Sequence, residues 1–413
     1  MVASGCNVAK VVFTGTDESQ GTHDAGGDAP IDAAPDAPAG PHLAHVVSAS
    51  STANNAVYGS GAKLPITVSF DTEVTVTGTP SLLVNSTPRP VSYTSGSGTK
   101  VLTYTYTVVR GERIDRLDYA AANALTLSGG RIFNEVGDAD LTLPTPGTAG
   151  SLGANKQITI NTGTLTLVYT GMLQTFTVPA GITSIDATSS GATGGTSLGE
   201  QGGMNISGGK GALATGTFTV NGGDQLTVLI GGGGGNANCG AGGGGGSWLV
   251  RGTDLLLVAG GGGGGFSCNA LGSQTGGIGA QTSSGGGGLC ANGRNPADGG
   301  TNGNGGTSFL GGGGGGWLTA GTETVAETPT SAGNKYPGAA TARGGGFGGG
   351  GGGYASCCGN AGAGGGYSGG ASGKDDGCAG GGGGSFANAT FTTNPVILGG
   401  GAAAGNGSVT ISW

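Results

Sequence analysis

The sequence predicts a mainly β protein with negligible α-helix, built as two successive β-sandwiches. Three observations lead to this fold class. Short runs rich in Val, Thr and Ile alternate with turn residues along residues 43–161. Strand-like runs also stand at both ends of residues 164–413, which indicates a second sandwich of jelly-roll type. Between those ends, six runs of five or six glycines predict inserted polyglycine II helices: Gly231–Gly235, Gly242–Gly246, Gly260–Gly265, Gly311–Gly316, Gly348–Gly353 and Gly380–Gly384.

The chain begins with a segment that resembles a bacterial lipoprotein. Ala3-Ser4-Gly5-Cys6 is similar to a lipobox, in which the cysteine carries the lipid. The charged and apolar stretches that normally come before a lipobox are not found here, so we interpret residues 1–15 as a truncated signal segment. An unmodified Cys6 is the alternative. The Asp/Ala/Pro-rich residues 16–42 predict a disordered tether between a membrane-bound lipid and the domains that follow.

Residues 43–161 have the strand spacing of an antiparallel sandwich. Gly96, Ser97 and Gly98 predict a hairpin loop between two strands. The predicted strands are Leu64–Phe70, Val74–Thr77, Ser81–Val84, Val101–Val109 and Lys156–Ile160.

The string from Val46 to Ile160, with Thr77–Leu82, Leu117–Tyr119 and Gly150–Lys156, resembles bacterial Ig-like repeats. Such repeats usually act as spacers in surface and adhesion proteins. Some related sandwiches bind calcium, which makes four residues weak candidates for oxygen ligands. A solvated acidic loop is the alternative, because their spacing is not that of an EF-hand. The four residues are Asn134, Glu135, Asp138 and Asp140.

The region from residue 164 onward contains 83 of the 102 glycines. The glycines are clustered and lack a strict Gly-X-Y period, which excludes a collagen helix. Disorder is the alternative to an ordered polyglycine bundle, because glycine-rich chains lose much entropy on folding. Trp248 lies beside a strand and is expected to pack. The predicted strands are Leu165–Tyr169, Thr175–Val178, Ile182–Ala187, Ala212–Val220, Gln225–Ile230, Trp248–Val250, Leu255–Ala259 and Val409–Trp413.

Six of the seven cysteines lie in this glycine-rich region. An even number in a chain with few core residues predicts disulfides and an extracytoplasmic, oxidising compartment. A zinc site is the weaker alternative, since no two matched C-x-x-C pairs occur. Their pairing stays open among Cys239, Cys268, Cys290, Cys357, Cys358 and Cys378.

Charge and histidine content exclude several function classes. The net charge of −8, with 9% charged residues, disfavours nucleic-acid binding. The three histidines, His23, His42 and His45, all precede the glycine-rich region, so a histidine-dependent catalytic triad there is excluded. The sequence contains no apolar stretch of ~18 residues, so it predicts no transmembrane helix. We predict neither a cofactor nor an enzymatic activity.

Three motifs make the last 250 residues similar to the glycine-rich domain family. They are Gln174–Thr183, Leu256–Ala259 running into Gly260–Gly265, and Asn406–Trp413. That family includes the extracellular glycine-rich region of anaplastic lymphoma kinase and leukocyte tyrosine kinase and many bacterial secreted proteins. The resemblance implies a β-sandwich with bundled polyglycine helices and, from the receptor members, binding of a protein ligand. The resemblance concerns only the ectodomain of these receptors, because the chain has none of the kinase motifs.

These observations predict a non-catalytic cell-surface or secreted binding or adhesion protein, with an unknown protein or glycan as its ligand. Aromatic side chains dominate recognition surfaces. A structural or ice-binding role is the alternative, and these aromatic residues would then only pack. The candidate contact residues in the glycine-rich region are Phe309, Trp317, Tyr336, Phe347, Tyr354 and Tyr367.

Overall fold

The computed structural model describes residues 40–86, 89–199, 204–268, 271–323, 344–354 and 359–413. Residues 43–413 form one compact unit, in which we distinguish an N-terminal lobe (43–161) and a glycine-rich lobe (164–413). The predictions for Cys6, Tyr336, Cys357 and Cys358 lie outside the described residues, as does most of the predicted tether. No helix in the described part of the chain is long and apolar enough to cross a membrane.

The N-terminal lobe consists of ten strands and one short helix among the described residues. They are β1 (Val46–Ser51), β2 (Val57–Tyr58), β3 (Lys63–Thr77), β4 (Ser81–Leu83), β5 (Pro90–Ser95), β6 (Thr99–Thr107), β7 (Arg113–Ile114), β8 (Leu125–Thr126), β9 (Arg131–Phe133), α1 (Leu152–Asn155) and β10 (Thr159–Asn161).

The long strand β3 organises this lobe. It pairs antiparallel with β1 and β6, and its far end pairs with β9. The predicted hairpin at Gly96–Gly98 is confirmed, since β5 and β6 pair antiparallel. Apolar side chains alternate along these strands and form a core of their own, which includes Ile66, Leu102 and Tyr104. The helix α1 has four residues and is capped by Ser151, whose Oγ accepts from the Ala154 N–H at 3.1 Å.

The glycine-rich lobe has sixteen strands among the described residues. They are β11 (Thr164–Val168), β12 (Gln174–Thr177), β13 (Ser184–Ser190), β14 (Leu213–Thr219), β15 (Gln225–Leu229), β16 (Ser247–Arg251), β17 (Asp254–Ala259), β18 (Phe266–Cys268), β19 (Gly272–Gln274), β20 (Leu289–Cys290), β21 (Thr307–Ser308), β22 (Thr322–Glu323), β23 (Cys378–Ala379), β24 (Phe386–Ala387), β25 (Thr392–Leu398) and β26 (Ser408–Ser412).

Ten of these strands form two five-stranded antiparallel sheets. Sheet A has the order β11-β26-β13-β14-β25, and sheet B has the order β12-β15-β16-β17-β24. The last strand, β26, lies between β11 and β13, so the two ends of the lobe meet inside sheet A. Buried residues of both sheets, such as Ile185 and Val409 from sheet A and Leu226 from sheet B, form a second core. The predicted mainly β fold with negligible α-helix is therefore confirmed.

Four of the glycine runs continue strands β15, β16, β17 and β24 of sheet B beyond the sandwich, and the runs pack against one another. Gly260–Gly265 follows β17 directly, and its hydrogen bonds repeat every third residue. Gly261 and Gly264 donate to Gly365 and Gly362, at 2.7 and 2.8 Å. The carbonyls of the same two glycines accept from Gly383 and Gly380, at 2.8 and 3.0 Å. A threefold repeat of this kind is the geometry of polyglycine II.

Six neighbouring segments surround Gly260–Gly265 in this way. The run exchanges backbone hydrogen bonds with residues 192–195, 209–212, 241–244, 362–365 and 380–383, and with Gly277. A Cβ placed on any of its six residues would overlap a carbonyl oxygen of a neighbour. The absence of side chains therefore allows this packing, as at the axis of collagen.

Candidate binding surfaces and the cleft between the lobes

Three of the predicted aromatic contact residues pack on the outer face of sheet B. The ring of Trp317 stacks on the buried Trp248, with ring centroids 6.0 Å apart and an interplanar angle of 27°. Tyr367 stacks on Phe386 at 4.5 Å, and Phe347 belongs to the same cluster. The packing interpretation of Trp248 is confirmed, and Trp317, Phe347 and Tyr367 have a structural role whether or not they also bind a ligand.

Phe309 and Tyr354 are half-buried near Asn360. The Asn360 side-chain amide donates to the Phe309 carbonyl at 2.6 Å, and the Tyr354 N–H donates to the Asn360 carbonyl at 2.9 Å. The ring of Tyr354 lies against the α-carbon of Gly359. Of the five candidate contact residues that the structure describes, three belong to the cluster on sheet B, and Phe309 and Tyr354 do not. Ligand contact by any of the candidates stays a prediction.

The disulfide prediction is confirmed for Cys290 and Cys378, which join β20 to β23 across 88 residues of sequence. Cys239 is also disulfide-bonded. Cys268 is buried at the end of β18, and its disulfide stays a prediction.

Polar contacts fix the loops beside the Cys290–Cys378 disulfide. The Arg294 guanidinium forms an ion pair with the Asp376 carboxylate and donates to the Asp376 carbonyl at 2.8 Å. The Asn295 side-chain amide donates to the Asp375 carboxylate at 2.8 Å. Asp375 and Asp376 therefore hold two loops together.

Three of the four weak calcium candidates are engaged in local polar contacts. The Asn134 side-chain oxygen accepts from the backbone of Val136 and Gly137 at 3.0 and 3.1 Å. Asp138 forms an ion pair with Arg131 at 2.7 Å. Hydrogen bonds from Thr142 lower the pKa of the Asp140 carboxyl. Across the described residues, Glu135, Asp138 and Asp140 do not bring three carboxylate oxygens within 4.8 Å of one another. The arrangement favours a solvated acidic loop.

A cleft of about 500 Å³ lies where the two lobes meet. Residues 56–62, which include β2, form one wall, and the other wall comes from residues 181–184, Asp186, Thr217, Ser412 and Trp413. Bare α-carbons allow the walls to approach each other: Gly181, with φ +80°, faces Val57, and Gly59 faces Ile182. The cleft thus depends on the docking of the two lobes.

Asp186 is the carboxylate of this cleft. It is half-exposed, its Oδ1 accepts from the Thr217 hydroxyl at 2.6 Å, and its Oδ2 lies 3.4 Å from an Arg110 nitrogen. The carboxylate therefore has a hydroxyl within hydrogen-bonding distance of one oxygen and a guanidinium within that distance of the other. This arrangement can donate to and accept from a polar ligand.

Sequence reasoning missed this cleft because its residues come from four distant parts of the chain. No motif distinguishes Asp186 from other surface acids, and the segment of residues 56–62 has no unusual composition. The register of sheet A places Asp186 opposite Thr217 and Ser412, and this pairing is not visible in the sequence.

Comparisons with known proteins identify no family for this chain. No protein-family model matches the chain, and no curated protein matches it.

Proposed function

We propose that this chain is a non-catalytic binding or adhesion protein that works outside the cytoplasm. In this proposal a lipid on Cys6 and the tether hold the two lobes at the cell surface, and the N-terminal lobe acts as an Ig-like spacer. The glycine-rich lobe is the main binding unit, residues 56–62 and Arg110 of the N-terminal lobe complete its cleft, and its ligand is a protein or a glycan.

The cleft between the lobes is the observation that carries the proposal. Its volume of about 500 Å³ lies in the range of ligand sites, which is roughly 300–1,000 Å³. The Asp186 carboxylate, the Thr217 hydroxyl and the Arg110 guanidinium offer both donors and acceptors at its edge. Such a set suits a ligand rich in hydroxyl or amide groups, as saccharides and peptides are.

Two further observations support an extracytoplasmic binding role. The Cys290–Cys378 disulfide is typical of proteins that fold in an oxidising compartment. The resemblance to the glycine-rich domain family suggests a protein ligand, because the receptor members bind proteins through this domain. That resemblance extends to the receptor ectodomain, so kinase activity is not part of the proposal.

The proposal is tested by screening the full chain against glycan and protein arrays. We expect Asp186→Asn and Thr217→Val to weaken binding to any ligand found. Asp298→Asn is the matched control, because Asp298 is a highly exposed carboxylate whose ion-pair partner is Lys374. Trp317→Ala tests the aromatic cluster separately. Equal binding by the wild type and both cleft variants would overturn the assignment to the cleft.

A further inference from the structure

Asparagine followed by glycine is a chemically reactive pair, and the chain contains five such pairs. The backbone nitrogen of the glycine can attack the side-chain amide of the asparagine, because glycine places no side chain in the way. In a folded protein this attack requires that the glycine N–H is accessible and that the local backbone can move. The five pairs are Asn221–Gly222, Asn292–Gly293, Asn302–Gly303, Asn304–Gly305 and Asn406–Gly407.

Three of these glycines have their N–H groups occupied. The Gly303 N–H donates to the Ser368 hydroxyl at 3.0 Å, and the Gly305 N–H donates to a threonine hydroxyl at 2.9 Å. The Gly407 N–H donates to the Gly231 carbonyl at 2.8 Å. Each of these hydrogen bonds must break before the nitrogen can react, so the fold protects all three pairs.

The other two glycines, Gly222 and Gly293, have no hydrogen-bond partner for their N–H among the residues that the structure describes. Their surroundings differ. A Cβ at Gly222 would lie 2.6 Å from the Gly181 nitrogen, so this backbone is packed against the neighbouring loop. A Cβ at Gly293 would meet nothing within 4 Å. Gly293 therefore combines an accessible N–H with room for its backbone to move.

Asn292 and Gly293 are the central residues of a turn that follows β20. Their φ angles are +56° and +73°, and the Arg294 N–H closes the turn by donating to the Ala291 carbonyl at 3.2 Å. The left-handed region is costly for residues other than glycine, although asparagine tolerates it better than most. Both residues are exposed to water. One long backbone hydrogen bond thus closes a solvated turn.

The Asn292 side chain links this turn to the hairpin of β18 and β19. Its amide nitrogen donates to the Leu271 carbonyl at 3.2 Å, and Leu271 comes directly before β19. Two residues before Asn292, Cys290 forms the disulfide with Cys378. The amide of Asn292 is therefore a contact between the hairpin and the corner of the lobe that carries the disulfide.

We propose that Asn292 is a self-modification site, at which the folded chain slowly loses its side-chain amide. The Gly293 nitrogen attacks the Asn292 side-chain carbon, and a C–N bond forms as the bond to the side-chain nitrogen breaks. The nitrogen leaves as ammonia, which carries away the Gly293 proton, and a succinimide ring remains. Water then opens this ring at either carbonyl and leaves aspartate or isoaspartate. Water is the one co-reactant.

The product changes the contact with the hairpin. A carboxylate has no proton to donate, so the hydrogen bond to the Leu271 carbonyl would be replaced by two facing oxygens. The new charge also stands two residues from Arg294, whose guanidinium pairs with Asp376. We expect the hairpin to loosen beside the disulfide as the protein ages. This chemistry lies outside the cleft and goes beyond the proposed binding function.

The test incubates the full chain, with its disulfides intact, in mildly alkaline buffer and follows each asparagine by peptide mapping with mass spectrometry. A parallel incubation in urea gives the rate of each pair in the unfolded chain. Relative to that rate, Asn292 should react about tenfold faster than the three hydrogen-bonded pairs, the factor that one hydrogen bond is worth. Asn221 should fall between them. Isoaspartate at residue 292 would identify the succinimide, since direct hydrolysis yields aspartate alone.

The consequence for the hairpin is tested with Asn292→Asp, which reproduces one product. Hydrogen exchange of residues 271–274 should become faster in this variant. Asn302→Asp is the matched control, because Asn302 is also exposed with a left-handed φ of +52°, and it should leave the hairpin unchanged.

Three outcomes would overturn the inference. One is a native rate at Asn292, relative to urea, no higher than at the hydrogen-bonded pairs. Another is the formation of aspartate without isoaspartate. The third is unchanged exchange of the hairpin in Asn292→Asp, which would mean that the amide of Asn292 does not hold it.

Discussion

The backbones of Gly163 and Trp413 exchange two hydrogen bonds, each of 3.0 Å. This pairing joins the two ends of the glycine-rich lobe, and the indole ring of Trp413 lies against the bare α-carbon of Gly163. A methyl group at residue 163 would overlap that ring. We expect Gly163→Ala to lower the free energy of unfolding by about 1–3 kcal/mol, the usual cost of overpacking.

Urea unfolding followed by tryptophan fluorescence measures this effect. Gly233→Ala is the control, because a Cβ there would meet its nearest atom, the Asn406 side-chain oxygen, at an ordinary 3.5 Å. If the two variants were equally stable, the contact with Trp413 would not constrain residue 163.

The polyglycine bundle offers a matched pair of glycines. A Cβ at Gly263 would overlap the Gly380 carbonyl, whereas at Gly286 the nearest atom, the Gly382 nitrogen, is 3.4 Å away. We expect Gly263→Ala to destabilise the lobe by about 3 kcal/mol or more. Gly286→Ala should be neutral or stabilising by up to about 1 kcal/mol, since alanine restricts the unfolded chain.

Thermal unfolding of the two alanine variants checks the prediction. Similar melting temperatures would mean that the bundle relaxes around a methyl group, and would contradict the close backbone packing described here.

The Cys290–Cys378 disulfide should be a major source of stability. It closes a loop of 88 residues, for which chain entropy predicts about 4–5 kcal/mol. Because the two lobes have separate cores, reduction should expose the amides of the glycine-rich lobe and leave those around Ile66 and Leu102 protected.

Hydrogen exchange with and without reductant distinguishes the lobes, and Cys290→Ser combined with Cys378→Ser reports on this disulfide alone. Unchanged exchange in the glycine-rich lobe under reductant would refute the dependence on disulfides.

Tyr104 and Tyr106 are neighbours in β6 with different hydroxyl environments. The Tyr104 hydroxyl is buried, and it neither donates nor accepts a hydrogen bond in the described structure. The Tyr106 hydroxyl donates to the buried Glu112 carboxylate at 2.8 Å. Tyr104→Phe should therefore leave stability unchanged or raise it, whereas Tyr106→Phe should cost about 1.5–3 kcal/mol, the range for hydrogen bonds to charged groups.

Chemical denaturation of both phenylalanine variants provides the measurement, and each variant controls for the other. An equal loss in both would show that ring packing, and not the hydroxyl environment, decides stability at these positions.

Alkaline pH should destabilise the N-terminal lobe. Burial raises the pKa of Tyr104 and Tyr106 well above the usual value, and burial together with the Asp118 charge raises the pKa of Tyr119 to about 12. In the unfolded chain these phenols ionise near pH ~10. The contribution of these tyrosines to the free energy of unfolding is therefore complete below pH ~10. It declines above that pH, because the unfolded state loses its phenol protons first.

The free energy of unfolding should fall between pH 10 and 12, and Tyr104→Phe should make that fall less steep. A slope identical to that of the wild type would contradict the proposed titration of Tyr104.

The sequence predicts the strands well where side chains alternate. Leu102, Tyr104 and Tyr106 alternate with threonines, and β6 is found with these three buried. The prediction misses β25, where Asn394 with φ +52° and Pro395 interrupt the pattern. It also misses how the glycine runs pair, because identical residues carry no information about which run faces which.

The candidate sites were harder to predict for a related reason. Trp317 lies 69 positions from Trp248 in sequence, and their stacking depends on how the bundle returns to sheet B. The contact of Asp186 with Ser412 in the cleft likewise depends on the register of β26 beside β13. Both relationships arise from pairing between distant segments, which local patterns do not encode.

The threefold repeat of Gly260–Gly265 has a consequence for how such chains can change length. Gly261 and Gly264 bond to the same neighbouring segments, and so do Gly262 and Gly265. Inserting or deleting three glycines, one full turn of the helix, would leave the remaining amides aimed at the same neighbouring segments. A gain or loss of one or two would turn the rest of the run toward the wrong neighbours. Natural variants of this lobe should therefore differ in run length by multiples of three.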